Sequence, residues 1–244
     1  MGNGAAETKL LDILKCSRPV LFANADRESP FSTGGTAFVV AFRNRCFVVT
    51  AEHVLNFKSF RPDQFCVQYR PDARDFLPLG AHYLLSGFDA DDTDQYQVAV
   101  WDVDEEHLRP ELFGEHHPYR LLQMDCLTLF GPGSDYLYRG FPTCERDYNQ
   151  ETRTMHQSSV AGRAQYVGPT AYAYLHEVRL MRLDALRSLD GLSGSPMFQV
   201  THDDQKYSVK RLPGCCGAER GNRSELTYLG IDASLKCSLE SAMA

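Results

Sequence analysis

Two short stretches of this sequence carry residues whose types and surroundings could support nucleophilic catalysis. The first is "LDGLSGSPMF", Leu189 to Phe198, where Ser193 stands between Gly191 and Gly194 and ahead of Ser195-Pro196. Glycine on either side lets the backbone take positive φ and leaves no Cβ in the path of a substrate carbonyl. The amides of Gly191 and Ser193 could then converge on one point and stabilise an oxyanion. A plain surface turn of small residues reads the same way, so this stretch alone leaves both readings open. The second is "RCFVVTAEHVL", in which a strand over Cys46 to Val49 ends in Thr50-Ala51 and His53 follows Glu52. A histidine just beyond a buried strand end can face a cleft and act as a base, or it can be structural. Seven other histidines occur, so its type decides nothing. Acyl transfer by serine needs a base, a group that orients the base, and donors for the oxyanion.

Other chemistries find less support. No C-x-x-C occurs, and the adjacent pairs Cys215-Cys216 and His116-His117 lack zinc-ligand spacing, so no metal and no cofactor is expected. The net charge of -7 argues against nucleic acid or an anionic membrane as the main partner. No apolar run approaches the ~18 residues needed to span a bilayer. "MGNGAAETKLLDILKC" shows no basic leader followed by an apolar run, and Ala6 breaks a myristoylation motif, so a cytoplasmic setting is expected. The eight cysteines then read as reduced, small buried hydrophobes.

The elements that must position these residues are mostly strands. A length of 244 residues with 43% hydrophobic side chains suits one large all-β domain or two small ones. Leu10, Leu11, Ile13 and Leu14 at helical spacing predict one short N-terminal helix over 7–15. Thereafter "SRPVLFAN", "TAFVVAF", "CFVVTA", "QFCVQYR", "HYLLSGF" and "YQVAVWDV" are short β-branched or aromatic runs separated by Gly, Pro, Asp and Asn. "STGG" and "RN" read as turns, with a hairpin over 36–50. The polar stretch 104–120, with Pro110, Gly114 and Pro118, reads as a linker. Strands resume in "LLQMDCLTLFG", "DYLYRGFP", "SSVAGRAQYVG", "AYLHEVRLM", "SPMFQV", "YSVKRL" and "LTYLGIDAS", and 201–225 reads as a long loop or hairpin tip. Two β-rich halves result, without the strand–helix alternation of a parallel sheet.

Together the two chemical stretches resemble the chymotrypsin-like (trypsin-like) serine peptidases, in their intracellular, bacterial-type form. Thr50-Ala51-Glu52-His53-Val54 is similar to the family's T-A-x-H-V motif, and Gly191-Leu192-Ser193-Gly194-Ser195-Pro196 to its G-x-S-G-[GS]-P motif, 140 residues later. "GTAFVV" from Gly35 resembles the strand that precedes the histidine. "RGFP" at 139–142 resembles a G-[YF]-P strand. "YLGIDAS" at 228–234 resembles the cleft-lining strand after the serine, which would make Gly230 and Ile231 substrate-binding. The resemblance covers roughly 18–236. It implies an all-β fold of two six-stranded Greek-key β-barrels, an N-terminal one over 1–113 carrying His53 and Gln97, and a C-terminal one over 114–244 carrying Ser193. It further implies a protein or peptide substrate, Ser193 as nucleophile, His53 as general base and then acid, and an oxyanion hole from the Gly191 and Ser193 amides. An α/β-hydrolase is excluded by chain order, since only His202 follows Ser193, and Ser195 replaces the last glycine of the elbow.

The pattern departs from the family at one chemical position. The aspartate of the D-h-A-h strand is Gln97 in "YQVAVWDV". Gln97 could orient His53 through its amide oxygen; Asp94 or another residue of "DADDTD" could supply the charge; or the site is impaired or needs an activator. Asp102 lies five residues too late. No "IVGG"-type activation sequence occurs, and Val54 replaces the cysteine of the usual histidine-loop disulfide. Arg187, six residues before the serine, falls where the resemblance puts the base of the primary pocket and would favour an acidic side chain. The ending "SLKCSLESAMA" lacks the C-terminal helix common in animal members, which raises a regulatory partner module as a further expectation. The alternative to the enzyme is an impaired trypsin-like module that binds peptides or proteins in the same cleft.

Overall fold

A computed structural model of the chain describes residues 12–55, 61–84, 98–120, 135–143, 146–149, 151, 154–169, 175–181, 190–203, 206–219 and 225–230. Apart from a few 3-10 turns the described elements are strands: β1 (Ser17–Ala23), β2 (Phe31–Phe42), β3 (Arg45–Ala51), β4 (Phe65–Val67), β5 (Leu79–Leu84), β6 (Val98–Val103), β7 (Tyr119–Arg120), β8 (Asp135–Gly140), β9 (Arg146–Asn149), β10 (Thr154–Gln157), β11 (Val160–Pro169), β12 (Leu175–Met181), β13 (Pro196–Asp203), β14 (Lys206–Glu219) and β15 (Glu225–Gly230). The fold is all-β, as the strand periodicity predicts. No helix among the described residues is long and apolar enough to cross a membrane.

The first seven strands form one sheet in the order β4-β1-β2-β3-β6-β5, with β7 added in parallel to β2. Strands β8 and β11 to β15 close into a barrel in the order β11-β12-β15-β14-β13-β8, and β9 and β10 make a separate hairpin. The two large assemblies repeat one strand order. In each, the first three strands run as an antiparallel meander, the sixth lies beside the third, the fifth beside the sixth, and the fourth beside the first. In the C-terminal set the fourth and fifth strands also pair, which closes the ring. Among the described residues β4 and β5 of the N-terminal set do not pair.

Alternation along each strand drives the cores. Val20, Val39, Val48, Phe65 and Trp101 fill the N-terminal core, where Trp101 stacks on Phe65 with ring centroids 3.9 Å apart and on His82 at 4.4 Å. Tyr136, Tyr138, Val178, Leu180 and Met197 fill the barrel. The hairpin expected over 36–50 forms between β2 and β3, and both its turn residues, Arg43 (φ 47) and Asn44 (φ 67), take the left-handed conformation that suits the twist of a two-residue hairpin.

Two local expectations are corrected and one is narrowed. "STGG" lies inside β2 and is not a turn. The strand slips by one residue against β1 between Val20 and Leu21, and the Phe22 ring occupies the space where a Cβ on Gly34 would sit. Of the alternatives over 201–225, a long loop or a hairpin tip, the hairpin holds as far as Glu219: Thr201, His202 and Asp203 of β13 pair with Ser208, Tyr207 and Lys206 of β14. The polar connection after Val103 ends by docking Tyr119–Arg120 back onto β2. Of the helix expected over 7–15, the described part is a 3-10 turn, Ile13–Cys16, and the rest lies outside the described residues. The strand expected in "LLQMDCLTLFG" also lies outside them.

One buried cation ties that 3-10 turn to the sheet. Arg18 is fully buried, and burial pulls its guanidinium down to about 10. It donates from Nε to the Tyr69 carbonyl (2.8 Å), from Nη1 to the carbonyls of Ser17 (2.9 Å) and Lys15, and from Nη2 to that of His116. Its fork ties the stretch 15–18 to Tyr69 and His116, 51 and 98 positions away along the chain. Arg18→Met is expected to leave these buried acceptors unpaired and to cost about 3 kcal/mol. Arg18→Lys recovers little of it, since one ammonium cannot reproduce the planar fork. The midpoint of urea unfolding measures both.

Candidate functional site

The serine turn is built by its neighbours. Leu192 is 1% exposed and packs into the barrel core beneath the turn. Gly191 (φ +93) leaves no room for a side chain, because a Cβ there would lie 2.5 Å from the Phe141 carbonyl oxygen and 2.7 Å from the Thr143 nitrogen. Gly194 (φ +83) is tighter still: a Cβ would lie 1.9 Å from the Thr36 carbonyl oxygen and 2.4 Å from Thr50 Oγ1. The Ser195 amide closes the turn on the Leu192 carbonyl at 2.9 Å. Ser193 is thus half-buried at the tip, between a leucine that anchors the turn from below and a glycine pressed flat against β2. The Gly191 and Ser193 amides donate to no backbone carbonyl among the described residues.

The histidine end is positioned by burial on either side. Strand β3 finishes at Ala51, the chain enters a 3-10 turn over Glu52–Leu55, and Val54 and Leu55 drop into the N-terminal core. His53 is left half-buried on that turn. Among the described residues neither ring nitrogen makes a hydrogen bond, so no such bond joins His53 to Ser193. Burial lowers its pKa from the ordinary 6.5, which keeps the imidazole in its neutral, unprotonated form at neutral pH.

Thr36 joins the two ends. Its amide donates to the Ser193 carbonyl (2.9 Å), and its hydroxyl donates to the Gly191 carbonyl (2.7 Å) while accepting from the Phe141 amide (2.9 Å). Its own carbonyl accepts from Thr50 Oγ1 at 2.7 Å. Next to it, a Cβ on Gly35 would meet both the Ser193 carbonyl oxygen and Val54 Cγ2 at 3.0 Å, so the serine turn and the histidine turn flank one glycine. Gly140 of "RGFP" belongs to the same knot, since a Cβ there would meet Ser195 Oγ at 2.3 Å and Leu192 Cδ2 at 2.5 Å. Four stretches separated by up to 158 residues in the sequence, "GTAF", "TAEHV", "RGFP" and "GLSGSP", therefore meet in direct contact.

Of the remaining candidates, Gly230 ends β15 opposite Gly214. Gln97, Asp94, Arg187 and Ile231 lie outside the described residues. Thr36 was not legible as a site residue, because nothing in a lone buried threonine distinguishes it; the "GTAF" stretch was the one available signal. No group of three His, Cys, Asp or Glu arranged to hold a metal occurs among the described residues. Cys16, Cys46 and Cys66 are free thiols, and burial pushes Cys16 up to about 12, so it is no nucleophile at neutral pH.

The histidine environment sets a pH dependence. Burial lowers His53, His82 and His116 alike from 6.5. The unfolded chain then binds more protons than the folded one, so their contribution to stability is complete above pH 6.5 and is lost as the pH falls through the folded values. Unfolding midpoints are expected to decline below pH 6.5, and any activity that uses His53 as a base should keep an acid limb below 6.5.

No protein-family model matches this chain, and no curated protein matches it.

Proposed function

We propose that the chain is a serine endopeptidase of the chymotrypsin-like type, with two Greek-key barrels and a site at their seam. The observation that carries this reading is the knot at Thr36, where the four stretches that resemble the family's motifs are in mutual contact. Chance motifs have no reason to meet in space. The strand order supports the architecture: β4-β1-β2-β3 and β13-β8-β11-β12 each have the 4-1-2-3 order of a Greek key.

In this reading the substrate is a protein or peptide. Ser193 Oγ attacks the scissile carbonyl carbon as its proton passes to His53. The oxyanion forms against the Gly191 and Ser193 amides. His53 then protonates the leaving amine as the C–N bond breaks, and water, deprotonated by His53, releases the acyl group. The absence of a His53–Ser193 bond accords with catalytic hydrogen bonds that tighten on substrate binding. Gln97 orients the imidazole, and Arg187 favours an acidic substrate side chain.

Labelling with a fluorophosphonate tests the reading. The expected result is one adduct, on Ser193, that is lost in Ser193→Ala and in His53→Ala. The second reading, a peptide-binding module without activity, draws on the same unbonded His53 and on glutamine at position 97. It predicts no adduct in a folded protein under any condition. Gln97→Asp separates them further, since a carboxylate beside His53 should raise both the rate of labelling and the pH of its acid limb.

A further inference from the structure

A polar pocket adjoins the "RGFP" stretch, whose Phe141 carbonyl also packs against Gly191. Its volume is about 380 Å³, and its walls include Arg70, Asp72, Glu115, His116, Arg139 and Gln157. Most of these groups are committed. Arg70 Nε pairs with Asp72 at 2.9 Å, Glu115 pairs with Lys15 at 2.7 Å, and His116 Nδ1 lies 3.2 Å from the Lys15 carbonyl oxygen.

Two groups are not. Arg139 is half-buried, and among the described residues its guanidinium meets no carboxylate at ion-pair distance. Its single hydrogen bond there runs from Nε to Ser159 Oγ at 3.0 Å, and its face lies over the Phe141 ring, 5.6 Å from the centroid. Desolvation lowers its pKa, and Glu115, beyond ion-pair distance, offsets this only in part. Gln157 is 8% exposed. Its Nε2 donates to the Phe141 carbonyl at 3.1 Å, which fixes the orientation of the amide, and its buried Oε1 has no donor among the described residues.

Among the lining residues two cations, Arg70 and Arg139, balance two carboxylates, Asp72 and Glu115; Arg70 is paired with Asp72, so Arg139 is the lining cation without an ion-pair partner among the described residues. Water could satisfy Gln157 Oε1 but would not neutralise Arg139. A carboxylate would neutralise Arg139 but brings no donor for Gln157. A hydrogen-phosphate group supplies both, with oxygens that accept from the guanidinium and a P–O–H that donates.

We propose that this pocket binds a phosphate group in its singly protonated form, as inorganic phosphate or a phosphate monoester, between Arg139 and Gln157. The proposal stands whether or not Ser193 is a nucleophile.

Calorimetric titration of the full chain with inorganic phosphate, at an ionic strength held constant with chloride, is the test. The expected result is saturable binding by the wild type, weakened at least about tenfold in Arg139→Gln and less in Arg139→Lys, which keeps the charge but loses the fork. Gln157→Glu guards against a folding defect in the arginine variants, because it leaves Arg139 intact and sets a carboxylate against the anion; it too should lose binding. A wild type that shows no saturable binding at millimolar phosphate, or an Arg139→Gln or Gln157→Glu protein that binds as the wild type does, would overturn the proposal.

Discussion

Ser193→Ala is expected to lower peptide-bond hydrolysis by on the order of 10⁶, to the residual level that an oxyanion hole and substrate binding sustain without a nucleophile. The same substitution should leave the unfolding midpoint nearly unchanged. Ser193 is half-buried at a turn tip, and its backbone carries the bond to Thr36. Ser195, two residues on, makes the matched control. It is fully buried and its Oγ has no hydrogen-bond partner among the described residues. Removing an unsatisfied buried hydroxyl costs little and can stabilise, so Ser195→Ala should keep its activity and hold or raise its midpoint. Kinetics and urea unfolding on the two variants separate a nucleophile from a turn that merely tolerates serine. Equal activity in Ser193→Ala and wild type would end the peptidase reading.

Gly194→Ala is expected to damage both fold and function. The added methyl would have to sit 1.9 Å from the Thr36 carbonyl oxygen, at φ +83, with Thr50 Oγ1 2.4 Å away. Thr36 and Thr50 are both fully buried and hydrogen-bonded to each other, so neither can retreat without breaking that bond. Overpacking against backbone together with a left-handed alanine should cost on the order of 4 kcal/mol. The turn would also lift off β2, which breaks the Thr36 amide to Ser193 carbonyl bond and moves Ser193 relative to His53. Misplacement by 1 Å can cost about 10²-fold in rate, and fluorophosphonate labelling should fall at least that far even in the folded fraction. Gly140→Ala is the milder companion, because a Cβ there meets the ends of Ser195 and Leu192 side chains and not backbone.

Much of the β architecture was legible because period-two burial writes itself into the chain. β1, β2, β3, β6, β8, β12 and β13 all fall on runs picked out by β-branched and aromatic residues. The errors came where composition and pairing disagree. "STGG" has a turn's composition, yet its glycines serve close approach within a strand, to the Phe22 ring and to the Ser193 carbonyl. The stretch 201–225 reads from its composition as a long loop or a hairpin tip, and the pairing of β13 with β14 decides for the hairpin as far as Glu219. Arg18 and Arg139 could not be picked out among the chain's other cations, since burial is a property of the folded neighbourhood and not of the residue.

At the site, the residue types spoke first. Glycine at 191 and 194 and histidine after Thr50-Ala51 announced a possible serine chemistry, and positive φ at both glycines, 93° and 83°, matches the conformational freedom those residues offer. Sequence by itself therefore determined much of the local backbone: the runs that become strands, the Arg43-Asn44 hairpin turn, and the glycines free to take positive φ at the serine turn. Only the tertiary structure decided that Thr36, Thr50, Gly140 and Gly194 converge. That convergence is a matter of excluded volume between segments far apart in the chain, and no local pattern encodes it. The same holds for charge. A list of residues shows -7, whereas the fold decides that Arg139, without an ion-pair partner among the described residues, lines one pocket with Gln157.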